Sequence, residues 1–167
     1  MSEIVYPPIE QLKEVFFEGN LLGWPTGKGL EKTSPDLPGW KIIKVPVGDF
    51  IFLDRYTVGS DGFSNGFIEI RNGETNQLFW MMMFGGWYIK QAIQVVKPAL
   101  IDAYKERQFI GGRGPRFFKA GHIIYENRVH NGGSFEKFRG VEEVFDQKGT
   151  QPLGFHWYSG GLMFDPK

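Results

Sequence analysis

The feature that most constrains this chain is a hydrophobic period that changes in the middle and then changes back. Over 40–84, apolar residues come in short runs (40–47, 50–58, 67–71 and 78–84) cut by Gly48-Asp49, Gly59-Ser60-Asp61-Gly62 and Asn72-Gly73. Short runs between glycine-rich breaks read as strands, and Asn-Gly is a hairpin signal because both central residues of a type I′ turn need positive φ. Over 87–108 the period becomes helical: Ile89, Ile93, Val96, Leu100 and Tyr104 form one stripe, with Lys90, Gln94, Lys97, Asp102 and Lys105 mostly off it. The stripe keeps its phase across Pro98, which predicts a kinked helix, with two abutting helices as the alternative. Strand grammar returns near 122–130, 141–145 and 153–158.

A chain of 167 residues is expected to form one domain, 1–167, since domains run to roughly 100–200 residues. Five Trp, six Tyr and sixteen Phe alongside 23 Gly and 10 Pro favour strands joined by tight turns over a helical bundle. Nineteen basic and nineteen acidic residues leave no net charge to drive binding to nucleic acid or an anionic membrane. The lack of cysteine removes disulfides, thiol nucleophiles and thiolate metal sites, and three His leave little for an all-imidazole site. No cofactor and no metal are expected. Met1-Ser2-Glu3-Ile4 lacks the basic start of a signal peptide, and no apolar run approaches the ~20 residues that span a bilayer. A cytoplasmic protein with no membrane partner is the expectation.

Pro7-Pro8 followed by Ile9, Leu12, Val15 and Phe16 predicts an N-terminal helix over 8–18 with Gly19 as its stop. The turn-rich 19–39 segment holds Gly23-Trp24-Pro25-Thr26-Gly27-Lys28-Gly29. It has one residue too few between its glycines for a phosphate loop, ends in Gly, and precedes no helical pattern, so it reads as a loop. The strand blocks, 40–86 and 116–164, resemble each other. Gly48 and Arg55 match Gly121 and Arg128 at an offset of 73, Gly66 and Glu69 match Gly140 and Glu143 at 74, and Gly85-Gly86 match Gly160-Gly161 at 75. Coincidence in a glycine-rich chain is the competing reading. The expected fold is α+β: an antiparallel sheet from two similar three-stranded meanders, with the 87–108 helix central and packed on one face.

Alternation assigns faces within each strand. Phe50, Phe52, Asp54 and Tyr56 share one face of the first block's second run; Arg55 lies on the other, as Arg128 does in the repeat. Glu69 shares a face with Phe67, and Glu143 with Val141 and Phe145. A carboxylate on an apolar face must be paired or have a raised pKa, so each is either an Arg partner or an acid or base. Glu142, facing the other way, reads as a solvated edge residue. His156 lies in an aromatic strand and reads as a hydrogen-bonded core or rim residue or as a base. The 105–139 segment holds eight Lys or Arg against three Glu, and its Gly111-Gly112-Arg113-Gly114 stretch reads as an exposed linker.

Asp54-Arg55-Tyr56, Trp80-Met81-Met82-Met83-Phe84-Gly85-Gly86, Arg113-Gly114-Pro115, Phe138-Arg139-Gly140-Val141-Glu142-Glu143-Val144-Phe145 and Tyr158-Ser159-Gly160-Gly161 together resemble an uncharacterised bacterial domain of unknown function. That domain occurs alone or behind Xre-type helix-turn-helix domains, and the resemblance covers about residues 25–163. Gly66 stands three rather than two residues before Glu69, and Ser159 stands where the family often has His. The resemblance implies a sensory or ligand-binding module by association.

The reading that follows is a non-catalytic module that binds a small, partly apolar molecule in an aromatic-lined cleft. Tyr56, Trp80, Met82, Trp157 and Tyr158 are the expected walls, and Arg55, Glu69, Arg128, Glu143 and His156 the polar contacts. One alternative is a small hydrolase or isomerase with Glu69 or Glu143 as base and His156 or Tyr158 as partner. Another is a homo-oligomeric interaction module, a homodimer being the simplest case. A small molecule is the expected partner and nucleic acid is not.

Overall fold

The computed structural model describes residues 6–29, 31–130 and 133–166. The Met1 to Ile4 stretch read above for a targeting signal lies outside them. Eleven elements follow in chain order: α1 (Ile9–Leu21), β1 (Glu31–Thr33), β2 (Lys41–Val47), β3 (Phe50–Val58), β4 (Phe63–Asn72), β5 (Leu78–Tyr88), α2 (Lys90–Lys105), β6 (Phe117–Ala120), β7 (Ile123–Val129), β8 (Lys137–Asp146) and β9 (Pro152–Leu162). The strands form one antiparallel sheet in the order β1-β2-β3-β4-β5-β9-β8-β7-β6. Each run of strands pairs with its chain neighbours, and the two runs meet where β5 lies antiparallel to β9 with Phe84 opposite Tyr158. The runs hold five and four strands rather than three each. β1 and β6 carry little apolar alternation and join the two edges through backbone pairing.

Both helices pack on the same face of the sheet. α1 lies against β2, β3 and β4, α2 against β5 to β9, and the helices touch each other. The cover is therefore shared between α2 and the N-terminal helix expected alongside it, and α2 lies over the second run of strands and β5 rather than centrally. The buried stripe of α2 includes Ala92, Ala99 and Ala103 beside Val96, Leu100 and Tyr104. These small residues let the helix approach the strands closely, and Ile89 and Ile93 sit at its margin. The helix runs unbroken through Pro98, which is exposed like Gln94 four residues before it. The carbonyl left without an N–H donor there faces water.

α1 continues past Gly19 to Leu21. Gly19 is a contact point and not a stop: a Cβ there would lie 2.2 Å from the Phe52 ring. Beside it, Phe16 packs edge-on against Trp80, Tyr104, Phe109 and Phe135, and Trp80 stacks on Phe135 and Phe138. The Trp80 indole N–H is satisfied by the carbonyl of Phe135 at 3.0 Å. Most of the aromatic surplus therefore fills a solid core between helices and sheet. Among the described residues the other face of the sheet is open except where the 34–40 loop crosses it, setting Trp40 against Phe67 and Asp36 4.0 Å from Arg55. No helix among the described residues is long and apolar enough to cross a membrane.

Candidate functional site

Strand pairing sets five residues in one row across the sheet: Asn127, Glu142, His156, Gly86 and Ser64, from β7, β8, β9, β5 and β4. The period of two turns all of them to the helix-covered face. The sequence therefore lines up polar side chains where an apolar row would pack, and each needs a partner. Gly86 presents no side chain, so the Ser64 hydroxyl and His156 Nε2 meet across it at 2.9 Å.

Glu142 is fully buried. Its Oε2 accepts from Arg113 Nε and, at 2.9 Å, from the Tyr88 hydroxyl; its Oε1 accepts from the Tyr125 hydroxyl. The Tyr125 oxygen in turn accepts from the Gly114 N–H at 3.1 Å, Asn127 Nδ2 donates to the Gly114 carbonyl at 2.7 Å, and Tyr158 donates to Asn127 Oδ1. This network ties the loop after α2 to β5, β7, β8 and β9. Burial and the Glu142 charge hold the Tyr88 and Tyr125 hydroxyls well above the usual tyrosine range. For Arg113, burial pulls the other way but Glu142 wins, and its charge is secure. Removing one member of such a pair typically costs about 3–5 kcal/mol, because the other is left buried and uncompensated.

Next to the network lies a cavity of about 70 Å³ lined by Trp24, Asp54, Tyr56, Val58, Ser64, Phe84, Tyr88, Arg113 and His156. Asp54 is buried at 7% exposure, and its Oδ1 has no hydrogen-bond partner. Burial raises its carboxyl to about 7, against the opposing pull of Arg113 and with a smaller push from Glu31. The Asp54 neighbour on this face, Tyr56, donates its hydroxyl to Glu31 instead. Burial, helped by Arg113, lowers His156 to about 2, so its imidazole stays neutral; its Nδ1 is also buried without a partner. His156 lies 4.1 Å from Tyr88 between ring centres, and the Arg113 guanidinium sits 5.3 Å from the centre of Phe84. The site thus combines aromatic walls, a carboxyl that titrates near neutrality, a hydroxyl and a neutral imidazole. Among the described residues no three His, Cys, Asp or Glu side chains converge as metal ligands would.

The residues singled out in the sequence are divided between the two faces. Tyr56 and His156 line the cavity. Trp80 and Met82 are core, and Tyr158 belongs to the Glu142 network. Arg55 and Glu69 face the open side, where Glu69 is 3.4 Å from Arg55 and 2.5 Å from Arg71. Arg128 and Glu143 pair with each other there, and Trp157 is 40% exposed. The sheet therefore separates Glu69 and Glu143 from His156 and Tyr158. Glu142, expected at a solvated edge, is among the most buried side chains, and the 111–114 stretch, expected to be an exposed linker, is buried. Apart from Tyr56 and His156, none of the lining residues is among those expected from the sequence, and Asp54 and Arg113 are the charged ones among them. The available signal was the face that Asp54 shares with Phe50, Phe52 and Tyr56, which puts a carboxylate in an apolar row. No family model, curated protein or solved structure matches the chain.

Proposed function

We propose that this chain is a non-catalytic module that binds a small, partly apolar molecule in the cavity between Trp24, Tyr56, Phe84 and Tyr88, with Asp54 and His156 as polar contacts. The observation that carries this reading is the pair of buried, unpartnered atoms, Asp54 Oδ1 and His156 Nδ1, on residues of the cavity wall. A buried polar atom without a partner costs about 1–3 kcal/mol, which a ligand supplying the missing hydrogen bond recovers. A sensory role in the cytoplasm accords with the resemblance to domains found behind helix-turn-helix segments. The test is a thermal-shift screen of metabolites, with mass spectrometry of whatever copurifies. Stabilisers that act on the wild type and not on Trp24→Ala or His156→Gln support the reading. A screen without a stabiliser, from protein that carries no copurifying molecule, overturns it.

One observation favours a second reading. A carboxyl near pH 7 beside a neutral imidazole is suited to proton transfer, with Asp54 in place of Glu69 or Glu143 as the acid or base. Turnover whose pH profile follows the Asp54 titration and disappears in Asp54→Asn would decide for it. Self-association is the third reading; Met83 and Trp157, both exposed on the open face, are its motive. A sedimentation experiment showing a monomer would exclude it.

We also infer that the sheet arose by internal duplication, with a pseudo-twofold axis between Phe84 and Tyr158. Arg55 pairs with Glu69 as Arg128 pairs with Glu143. Gly66 lies under the Phe84 ring and beside the Arg55 carbonyl, as Gly140 lies under Tyr158 and beside the Arg128 carbonyl. On this reading Ile68 and Met82 correspond to Glu142 and His156, so the halves diverged at these two positions, while the first half contributes Asp54 to the cavity. A superposition that sets Gly66 on any residue but Gly140 would sink the idea.

A further inference from the structure

The charges around the cavity narrow the ligand, if the pocket reading above holds. Among the described residues Arg113 is the one cation in the lining, and its charge is met by Glu142, which also accepts from Tyr88 and Tyr125. Among the described residues no Lys, Arg or His lies within salt-bridge distance of Asp54. When Asp54 ionises, the group formed by Asp54, Arg113 and Glu142 therefore carries one net negative charge, held away from water. We infer that the ligand presents a compact organic cation, an ammonium or amidinium head, that donates to Asp54 Oδ1 and supplies the missing positive charge.

The surroundings suit such a head. Trp24, Tyr56, Phe84 and Tyr88 line the cavity with aromatic rings, and aromatic rings attract cations most strongly where water is excluded. About 70 Å³ is roughly twice the liquid volume of a water molecule, room for a head of a few heavy atoms with the remainder outside. Val58, 50% exposed, marks the open end. The titratable groups that act on Asp54 are Arg113 from the loop after α2, Glu31 from β1, Tyr56 beside it on β3 and Tyr104 from α2; His156 from β9 shares its cavity. Lys41 and Lys97 act on Glu31 and lie over Tyr56 and Trp24 outside the lining. Of the cavity-lining set, Asp54 alone exchanges a proton near neutrality. The cation takes the place of that proton.

The experiment titrates the full chain with methylammonium chloride, guanidinium chloride at non-denaturing concentration and, at matched ionic strength, sodium acetate. The Trp24 indole resonance reports binding. The expected result is saturable binding of at least one cation, none of acetate, and an affinity that rises up to tenfold per pH unit below about pH 7 and then levels. Asp54→Asn should weaken binding at least tenfold and remove the pH slope. Isothermal titration of the wild type at about pH 6 in two buffers of different protonation enthalpy should show close to one proton released per cation, a readout that needs no variant. Acetate binding that weakens as pH rises, cation binding without proton release, or no binding by either cation overturns the inference. The first of these leaves the pocket reading standing. That reading fails separately, when the metabolite screen and the copurification analysis are both empty.

Discussion

Asp54 and His156 should pull the stability of this protein in opposite directions with pH, and single substitutions should expose each one. In the fold, Asp54 titrates at about 7 rather than 3.8, and His156 at about 2 rather than 6.5. Between about pH 4 and 6.5 the folded chain holds a proton on Asp54 that the unfolded chain has lost, so this group makes stability fall by about 1.4 kcal/mol per pH unit. Over the same window the unfolded chain holds a proton on His156 that the folded chain excludes, so this group makes stability rise by about the same amount. In the wild type the two contributions cancel. Asp54→Asn removes the falling contribution, and between about pH 4.5 and 6.0 the variant should gain about 2 kcal/mol relative to wild type. His156→Gln, whose side-chain amide can still meet Ser64, removes the rising contribution and should lose about 2 kcal/mol across the same interval. Urea denaturation at several pH values measures all three proteins, and the other carboxylates contribute equally to each. Parallel profiles for the two variants would refute the reasoning, because they would mean that neither group is buried in its stated form.

Glu142→Gln should destabilise by about 3–5 kcal/mol by stranding Arg113, and the double change Glu142→Leu with Arg113→Met should recover part of that in chemical denaturation. Gly19→Ala should cost about 1–3 kcal/mol through the Phe52 clash despite its better helix propensity, which a lowered thermal midpoint would register. Arg128→Ala, in a pair whose side chains are 59% and 36% exposed, should change stability by less than about 0.5 kcal/mol. Glu69→Ala, between Arg55 and Arg71 with its own side chain 6% exposed, should cost about 1–3 kcal/mol in the same assay.

The change of period was enough to expect an antiparallel sheet and the second helix, since glycine-bearing turns separate β2 from β3, β3 from β4 and β4 from β5, and the apolar stripe of α2 is unambiguous. Alternation was less informative about faces. In β8, Val141 and Phe145 alternate with Gly140 and Val144, so both sides look apolar and the pattern does not say which one the helices cover. The pattern points to Glu143 as the carboxylate on the apolar face, whereas Glu142 is the buried one. Arg113 was hidden for a related reason. Its flanking glycines resemble an exposed linker, and only the tertiary approach of Gly112 to Phe138 and of Gly114 to Tyr125 makes that stretch part of the interior. Asp54 was visible in an apolar row, but its lack of a partner depends on Tyr56 turning to Glu31, a residue 25 positions away.

The narrow ends of the sheet limit how this protein can associate. A broad antiparallel sheet invites further strands along its margins, where free N–H and C=O groups template pairing. Here β1 offers three exposed residues, two of them charged, and β6 is four residues long with three exposed, including Lys119. A strand added to β1 or β6 would find only a few hydrogen bonds before that ladder ran out. Strand addition onto β1 or β6 is therefore disfavoured, and the broad open face, with Met83 and Trp157 exposed on it, offers copies a larger contact.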